Sequence, residues 1–370
     1  MTSCHPPPSP ELPGDLIPRI LLRIPPDMPE CLVRAFCVCQ SWRCILSDPA
    51  FCRRYREFHR TPPLLGFVRS QSRNKIYTSF VPATAFRPTT TVHHDWLVCD
   101  ARHGRVLFND LARKDLVVWD PITGIHTRLP LPSPAVEESA LTVYCAAVGC
   151  DHRGCHGGPF LVAFVCERSA AHHNLMSVHV YLSEDGTWSY DMTSKKLPVG
   201  QSGSTVVSHN SIAENTINIR WKTKILEYNM GDRKLKVINL PSGYQGSSTV
   251  LMTAEDGTLG FATVEDLSRL CLWSRKPDPN GALAWAQYRS IELNTVLPVR
   301  SLWSKVVGYA DGFGVIFIQR QDGLFTIELN SDRVKKVYSE VGATHPLAQR
   351  IFPYMSFYTL DHARGIVPLP

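Results

Sequence analysis

LVVWDPITGIHTRLPLP, residues 116–132, reads as a short apolar strand, a polar turn through Asp120-Pro121 and Gly124, a second short strand and a closing Leu-Pro. The same phrase returns as VYLSEDGTWSYDM (180–192), ILEYNMGDRKLKVINLP (225–241), LCLWSRKPDPNGALAWAQYRSIEL (270–293) and LFTIELNSDRVKKVYS (324–339). Copies start about 45 to 65 residues apart, the length of one four-stranded propeller blade with variable loops. About 300 residues of such repeats make roughly six blades, a kelch-like β-propeller. A large β-sandwich built of hairpins is the alternative, and the recurrence favours the propeller.

Outward from these copies the period stays near two, as in KIYTSFV (75–81), SVHVYLS (177–183), TINIRW (216–221) and GVIFIQR (314–320). Turn pairs separate the runs: Asp185-Gly186, Gly231-Asp232, Asp256-Gly257, Asn280-Gly281, Asp311-Gly312 and Asp322-Gly323. Short alternating strands between glycine turns are an all-β signature. Seven of the eight tryptophans lie in this region, several at strand ends, where an indole can pack between adjacent blades.

Before Thr61-Pro62-Pro63 the period is helical. Leu16, Ile17, Ile20, Leu21 and Ile24 recur at three- and four-residue spacing, with Asp15 as the cap and Pro18 in the tolerant first turn. Pro25-Pro26 stops that helix. Pro29 opens a second one carrying Leu32, Val33, Phe36 and Cys37, Ser41 caps a third with Trp42, Ile45 and Leu46, and Asp48-Pro49 opens a fourth. The fold expected is therefore α+β in separate domains. Residues 1–10, rich in Pro and Ser, form a disordered start, 11–60 a small helical domain and 61–370 an all-β propeller.

Hydrophobic residues make up 44% of the 370 and charged ones 19%, as expected of a folded soluble protein. No apolar stretch approaches a membrane span, and the N-terminus lacks the pattern of a secretion signal. The cysteines, six of them in residues 1–60, show no scaffold spacing, so reduced thiols are expected. A net charge of +6 over this length is too dilute for a nucleic-acid footprint. CRRYREFHR (52–60) reads as a solvated helix face.

Catalytic motifs are missing: there is no Gly-x-Ser-x-Gly, no phosphate-cradling Gly-x-x-x-x-Gly-Lys and no His-Glu-x-x-His. Cys150, His152, Cys155 and His156, with Cys145 and Cys166 nearby, are the best metal candidates. CDHRGCH lacks the separated paired knuckles of zinc sites, so the expectation is a surface loop with incidental thiols and no cofactor.

Residues 12–51 resemble an F-box. Leu12, Pro13, Asp15, Leu16, Ile17, Ile20, Leu21, Arg23, Ile24, Pro25, Leu32, Arg34, Val38, Cys39, Trp42, Arg43, Leu46, Pro49 and Phe51 stand in the order of that motif. Pro18 replaces a common Leu or Glu, Gln40 replaces a basic residue, and PPDMPE (25–30) lengthens a link. The phrase WDPITGIHTRLP (119–130) is similar to the propeller-like associated region of the large plant F-box families. The resemblance implies docking on a Skp-type adaptor and, through it, on a cullin–RING ubiquitin-protein ligase. On this reading Leu12, Pro13, Leu16, Ile17, Ile20, Leu21, Ile24, Leu32, Val38, Cys39, Trp42 and Leu46 serve the adaptor. Trp42, Val38 and Leu46 are equally expected in the core.

The resemblance also implies a β domain that recruits a protein substrate, without nucleic acid or membrane, in the cytoplasm or nucleus. The longer loops 133–140, 149–158, 194–204 and 274–284 are the first places to seek it. Two other readings stand beside this one. One is a propeller-class enzyme fused to the helical unit. The other is an adaptor-binding protein acting outside ubiquitylation.

Overall fold

A computed structural model of the chain describes residues 14–360, leaving out 73–75, 133–138, 148–149, 151, 153–154, 156–157, 171–172, 192–195, 198–206, 212–215, 222–223, 230–233, 242–247, 299–300 and 340–349. The disorder expected over 1–10 falls outside these residues. Helices α1 (Leu16–Leu22), α2 (Pro29–Phe36), α3 (Gln40–Ser47) and α4 (Pro49–His59) open the described chain. Prolines open two of them. Pro29 and Pro49 stand at helix starts, where a missing N–H costs nothing, and Asp48 accepts a hydrogen bond from the Ala50 N–H at 3.0 Å. Two expected caps are corrected. Asp15 flanks α1 without a side-chain cap bond, and α3 starts after an extended Cys39, which leaves Ser41 inside its first turn.

Among the described residues the strands form six antiparallel sheets. The first holds β1 (Leu64–Ser72), β2 (Ile76–Pro82) and β3 (Val92–His94). The second holds β4 (Trp96–Arg102), β5 (Arg105–Asp110), β6 (Asp115–Trp119) and β7 (His126–Pro130). The third holds β8 (Ser139–Cys145), β9 (Phe160–Ala170), β10 (His173–Leu182), β11 (Thr187–Asp191) and the short β12 (Lys196–Leu197). The fourth holds β13 (Val207–Ser211), β14 (Thr216–Trp221), β15 (Lys224–Asn229) and β16 (Lys234–Asn239). The fifth holds β17 (Thr249–Thr253), β18 (Leu259–Glu265), β19 (Arg269–Pro277) and β20 (Leu283–Glu292), followed by a single helical turn, α5 (Leu293–Val296). The sixth holds β21 (Ser304–Ala310), β22 (Val315–Arg320), β23 (Gly323–Glu328) and β24 (Val334–Tyr338). The last strand, β25 (Ile351–Met355), joins the first sheet beside β1 and so clasps the two ends of the β region together.

The innermost strands β25, β4, β8, β13, β17 and β21 touch in succession and close a ring, which makes the β region a propeller as the recurring phrase leads one to expect. Pleat alternation builds its cores, because successive side chains point to opposite faces. On β5, Val106 and Phe108 enter the core shared with the first sheet, while Leu107 enters the one shared with the third. On β22, Ile316 and Ile318 face the fifth sheet and Phe317 faces the first. Every sheet thus buries both faces. Where β21 approaches β25, a Cβ on Gly308 would lie 2.7 Å from the Ile351 carbonyl oxygen, so only glycine fits. Pro353 is tolerated because β25 is the free inner edge of its sheet. Two tryptophans pin neighbouring sheets as expected: Trp188 Nε1 donates to the Pro130 carbonyl at 2.9 Å and Trp285 Nε1 to that of Asn239 at 2.8 Å.

The repeated phrase is the outer hairpin of five sheets: β6–β7, β10–β11, β15–β16, β19–β20 and β23–β24. The helices and the segment after the last strand share a core. Phe357 and Leu360, just past β25, are buried in the same cluster as the helices.

Candidate functional site

The helical unit encloses Leu21, Leu32, Ala35, Leu46, Phe51, Cys52 and Tyr55. Tyr55 ties α4 to the segment just past α1, its hydroxyl donating to the Ile24 carbonyl at 2.8 Å, and burial pushes that phenol far above its ordinary range, so it stays a neutral donor. His59 Nε2 meets the Leu22 carbonyl at 3.0 Å, and the Cys52 thiol donates to the Leu46 carbonyl at 3.3 Å. The C-terminal segment completes the core. Phe357 lies edge-on to Tyr55 with ring centroids 6.2 Å apart, and Arg56 Nη1 donates to Thr359 Oγ1 at 3.1 Å. Within the basic run 52–60, Arg53 and Arg54 are exposed, whereas Cys52 and Tyr55 point inward and Arg56 reaches the C-terminal segment.

The expected adaptor residues divide by burial. Leu21, Leu32 and Leu46 are core and cannot touch a partner without unfolding the unit. Leu16, Ile17, Ile24 and Trp42 are half-buried, the last three packed against the core. Ile20 is 45% exposed, Val38 is 61% exposed and Cys39 is exposed as well. Val38 is thus a surface residue, against its even expectation as core. Leu12 and Pro13 lie outside the described residues. Sequence reasoning missed Phe357, Thr359 and Leu360; the apolar character of MSFYTL (355–360) was the available signal.

Strand direction sorts the loops. The chain enters β1 and leaves β25 at one end, since Leu64 pairs with Met355. That face also carries the β4–β5 turn, the loop between β8 and β9 and the outer-hairpin turns. Tyr354 on β25 reaches across it, donating to the Gly104 carbonyl at 3.1 Å. Loops 149–158 and 274–284 therefore share the face of the helices. Loops 133–140 and 194–204 lie largely outside the described residues. Among the described residues no helix is long and apolar enough to cross a membrane.

One cluster corrects the reading of the cysteine loop as incidental. Cys145, at the end of β8, meets Cys150, His152 and Cys155 from the loop that follows, with the four donor atoms all within 4.8 Å of one another. The hydrogen bond with Cys155 holds the Cys145 thiol well below the ordinary range, while Cys155 is pushed up. His103, from the β4–β5 turn, stacks on His152 at 4.1 Å, and its Nδ1 accepts the Cys145 N–H at 3.0 Å. Burial keeps that imidazole neutral. Cys166 is not part of the group; its sulfur lies 2.9 Å from Ser177 Oγ in a hydrophobic core. His156 lies outside the described residues.

The family model described as F-box protein AT5G49610-like, beta-propeller, matches residues 97–359. No curated protein matches the chain in sequence. Similar solved structures include a protein of unknown function from Bacteroides caccae, 12% identical with a TM-score of 0.38 over 72% of this chain and 90% of that one. Another is the Myceliophteria thermophila Cps50 (Swd1) beta-propeller domain, 10% identical with a TM-score of 0.39 over 75% of this chain and 88% of that one.

Proposed function

The chain belongs to the F-box proteins with an AT5G49610-like β-propeller, and on that premise we propose that it is the substrate-recognition subunit of a Skp–cullin–F-box ubiquitin-protein ligase. The observation that carries this reading is the apolar surface the helices keep outside. Val38 is 61% exposed and Ile20 is 45% exposed, although the unit has already drawn Phe357 and Leu360 from the far end of the chain into its core. The propeller therefore fills the interior of the unit and leaves these side chains for a second protein.

Covering each such side chain is worth roughly 1.5–3 kcal/mol. Rigid-body and ordering costs consume much of that gain. Leu12 and Pro13 enlarge the contact in this proposal. The helices occupy one face of the ring, so the substrate is assigned to the opposite face, among the connections between sheets. The protein performs no bond chemistry on this reading. It raises the effective concentration of a target beside a ubiquitin-loaded conjugating enzyme in the cytoplasm or nucleus.

The test is affinity purification of the Skp-type adaptor and cullin with the wild type, with Ile20→Glu/Val38→Glu and with Leu12→Ala/Pro13→Ala. Both variants should lose adaptor and cullin together while the thermal transition stays in place. Undiminished capture by the glutamate variant defeats the interface assignment. Adaptor recovered without cullin by the wild type points instead to a role outside ubiquitylation. Proteins that accumulate on both wild type and variants under proteasome inhibition are the substrate candidates.

A further inference from the structure

We propose that Cys145, Cys150, His152 and Cys155 hold one zinc ion in a closed, tetrahedral Cys3His site. The argument is geometric. A tetrahedral zinc with Zn–S near 2.3 Å and Zn–N near 2.0–2.1 Å sets its ligand atoms about 3.7 Å apart for two sulfurs and about 3.5 Å apart for sulfur and nitrogen. Cys150 Sγ and Cys155 Sγ are 3.6 Å apart, and Cys155 Sγ lies 3.8 Å from His152 Nδ1. All four donors fall within 4.8 Å of one another, so small side-chain rotations bring the whole set to ligand distance. A disulfide requires sulfurs near 2.0 Å and would join only two of the three thiols.

The backbone is arranged around this point. Cys145 is held by β8, whose register with β9 pairs it with Phe160. The other three ligands arrive from the loop between those strands. The Cys150 N–H donates to the Ala147 carbonyl at 3.3 Å, and the His152 N–H donates to Cys150 Sγ at 3.4 Å. His152 has φ +59°, a conformation that non-glycine residues seldom adopt and that here turns its ring toward the thiols. A second layer braces the set. His103 stacks on His152 and accepts the Cys145 N–H, and Arg105 donates to the Gly158 carbonyl at the end of the loop.

Three sulfurs and an imidazole suit a borderline-soft ion such as zinc. Four protein donors leave no coordination position for water, so the ion is structural and not hydrolytic. It fastens the loop between β8 and β9 to the end of β8, beside the β4–β5 turn, on the face of the ring that also carries the helices. Metal binding of this kind contributes free energy to the folded state.

Elemental analysis of chain purified under reducing, chelator-free conditions should find about one zinc per molecule. Cys145→Ser and Cys155→Ser should lower the content at least tenfold, whereas Cys166→Ser, whose thiol faces Ser177, should retain it. Exchange of cobalt(II) into the wild type separates ligand loss from misfolding. It should give the intense visible bands of a tetrahedral ion together with sulfur-to-metal charge transfer. X-ray absorption should show three sulfurs and one nitrogen around the zinc. A wild type that stays metal-free in excess zinc, or that gives the weak spectrum of an octahedral cobalt ion, overturns the site. So does equal zinc loss from Cys166→Ser.

Discussion

Each sheet of the propeller buries both faces against its neighbours, with Leu107 turned one way and Val106 and Phe108 the other. The four N-terminal helices instead share a core that is closed by Phe357 and Leu360, about three hundred residues away in the chain. The ring is therefore redundant, since loss at one seam leaves others of the same kind. The helical unit is conditional. A segment of this length buries little apolar surface by itself, and part of its core is supplied by the C-terminal segment. The same smallness leaves Val38 and Ile20 outside, which is the property the proposed adaptor would use.

The contrast can be broken by experiment. Phe357→Ala removes the largest borrowed side chain and should cost about 3–5 kcal/mol, the range for emptying an aromatic site in a core. Calorimetry should then show the helical unit melting ahead of a nearly unchanged propeller; a uniform shift of a single transition would mean that the two regions are one cooperative body. Leu107→Ala should cost about 2–5 kcal/mol and move the propeller transition, with adaptor capture retained below it. Tyr55→Phe leaves the Ile24 carbonyl without its buried donor and should cost about 1–3 kcal/mol, read by urea denaturation of helical circular dichroism. Val38→Glu should change stability by less than about 0.5 kcal/mol, as surface substitutions do. A larger loss in the same denaturation experiment would mean that Val38 belongs to the core after all.

What could be read in advance follows the same division. Local grammar was legible. Pro29 and Pro49 announced helix starts, Asp48 announced its cap, and the recurring phrase marked outer hairpins at five of the six sheets. The first sheet escaped because a long connection separates β2 from β3, where the other outer hairpins carry tighter turns. Long-range pairing was not legible. Nothing local in MSFYTL says that Phe357 faces Tyr55, or that Cys39 rather than Ser41 precedes α3. The thiol cluster was discounted because CDHRGCH has no paired knuckles. Its missing ligand, Cys145, comes from a strand end fixed by sheet register, and its brace, His103, comes from the neighbouring sheet. Val38 shows the converse error, since an apolar residue within a helical pattern need not point inward when the unit is this small.

The clasp of β25 against β1 also has a consequence for the timing of assembly. Helices α1 to α4 are translated before the sheets, yet Phe357 and Leu360, which complete their core, follow the last strand. A chain interrupted upstream of Phe357 would carry helices whose shared core is unfinished. On the proposed function, recruitment into a larger machine would wait until residues 357–360 had been made.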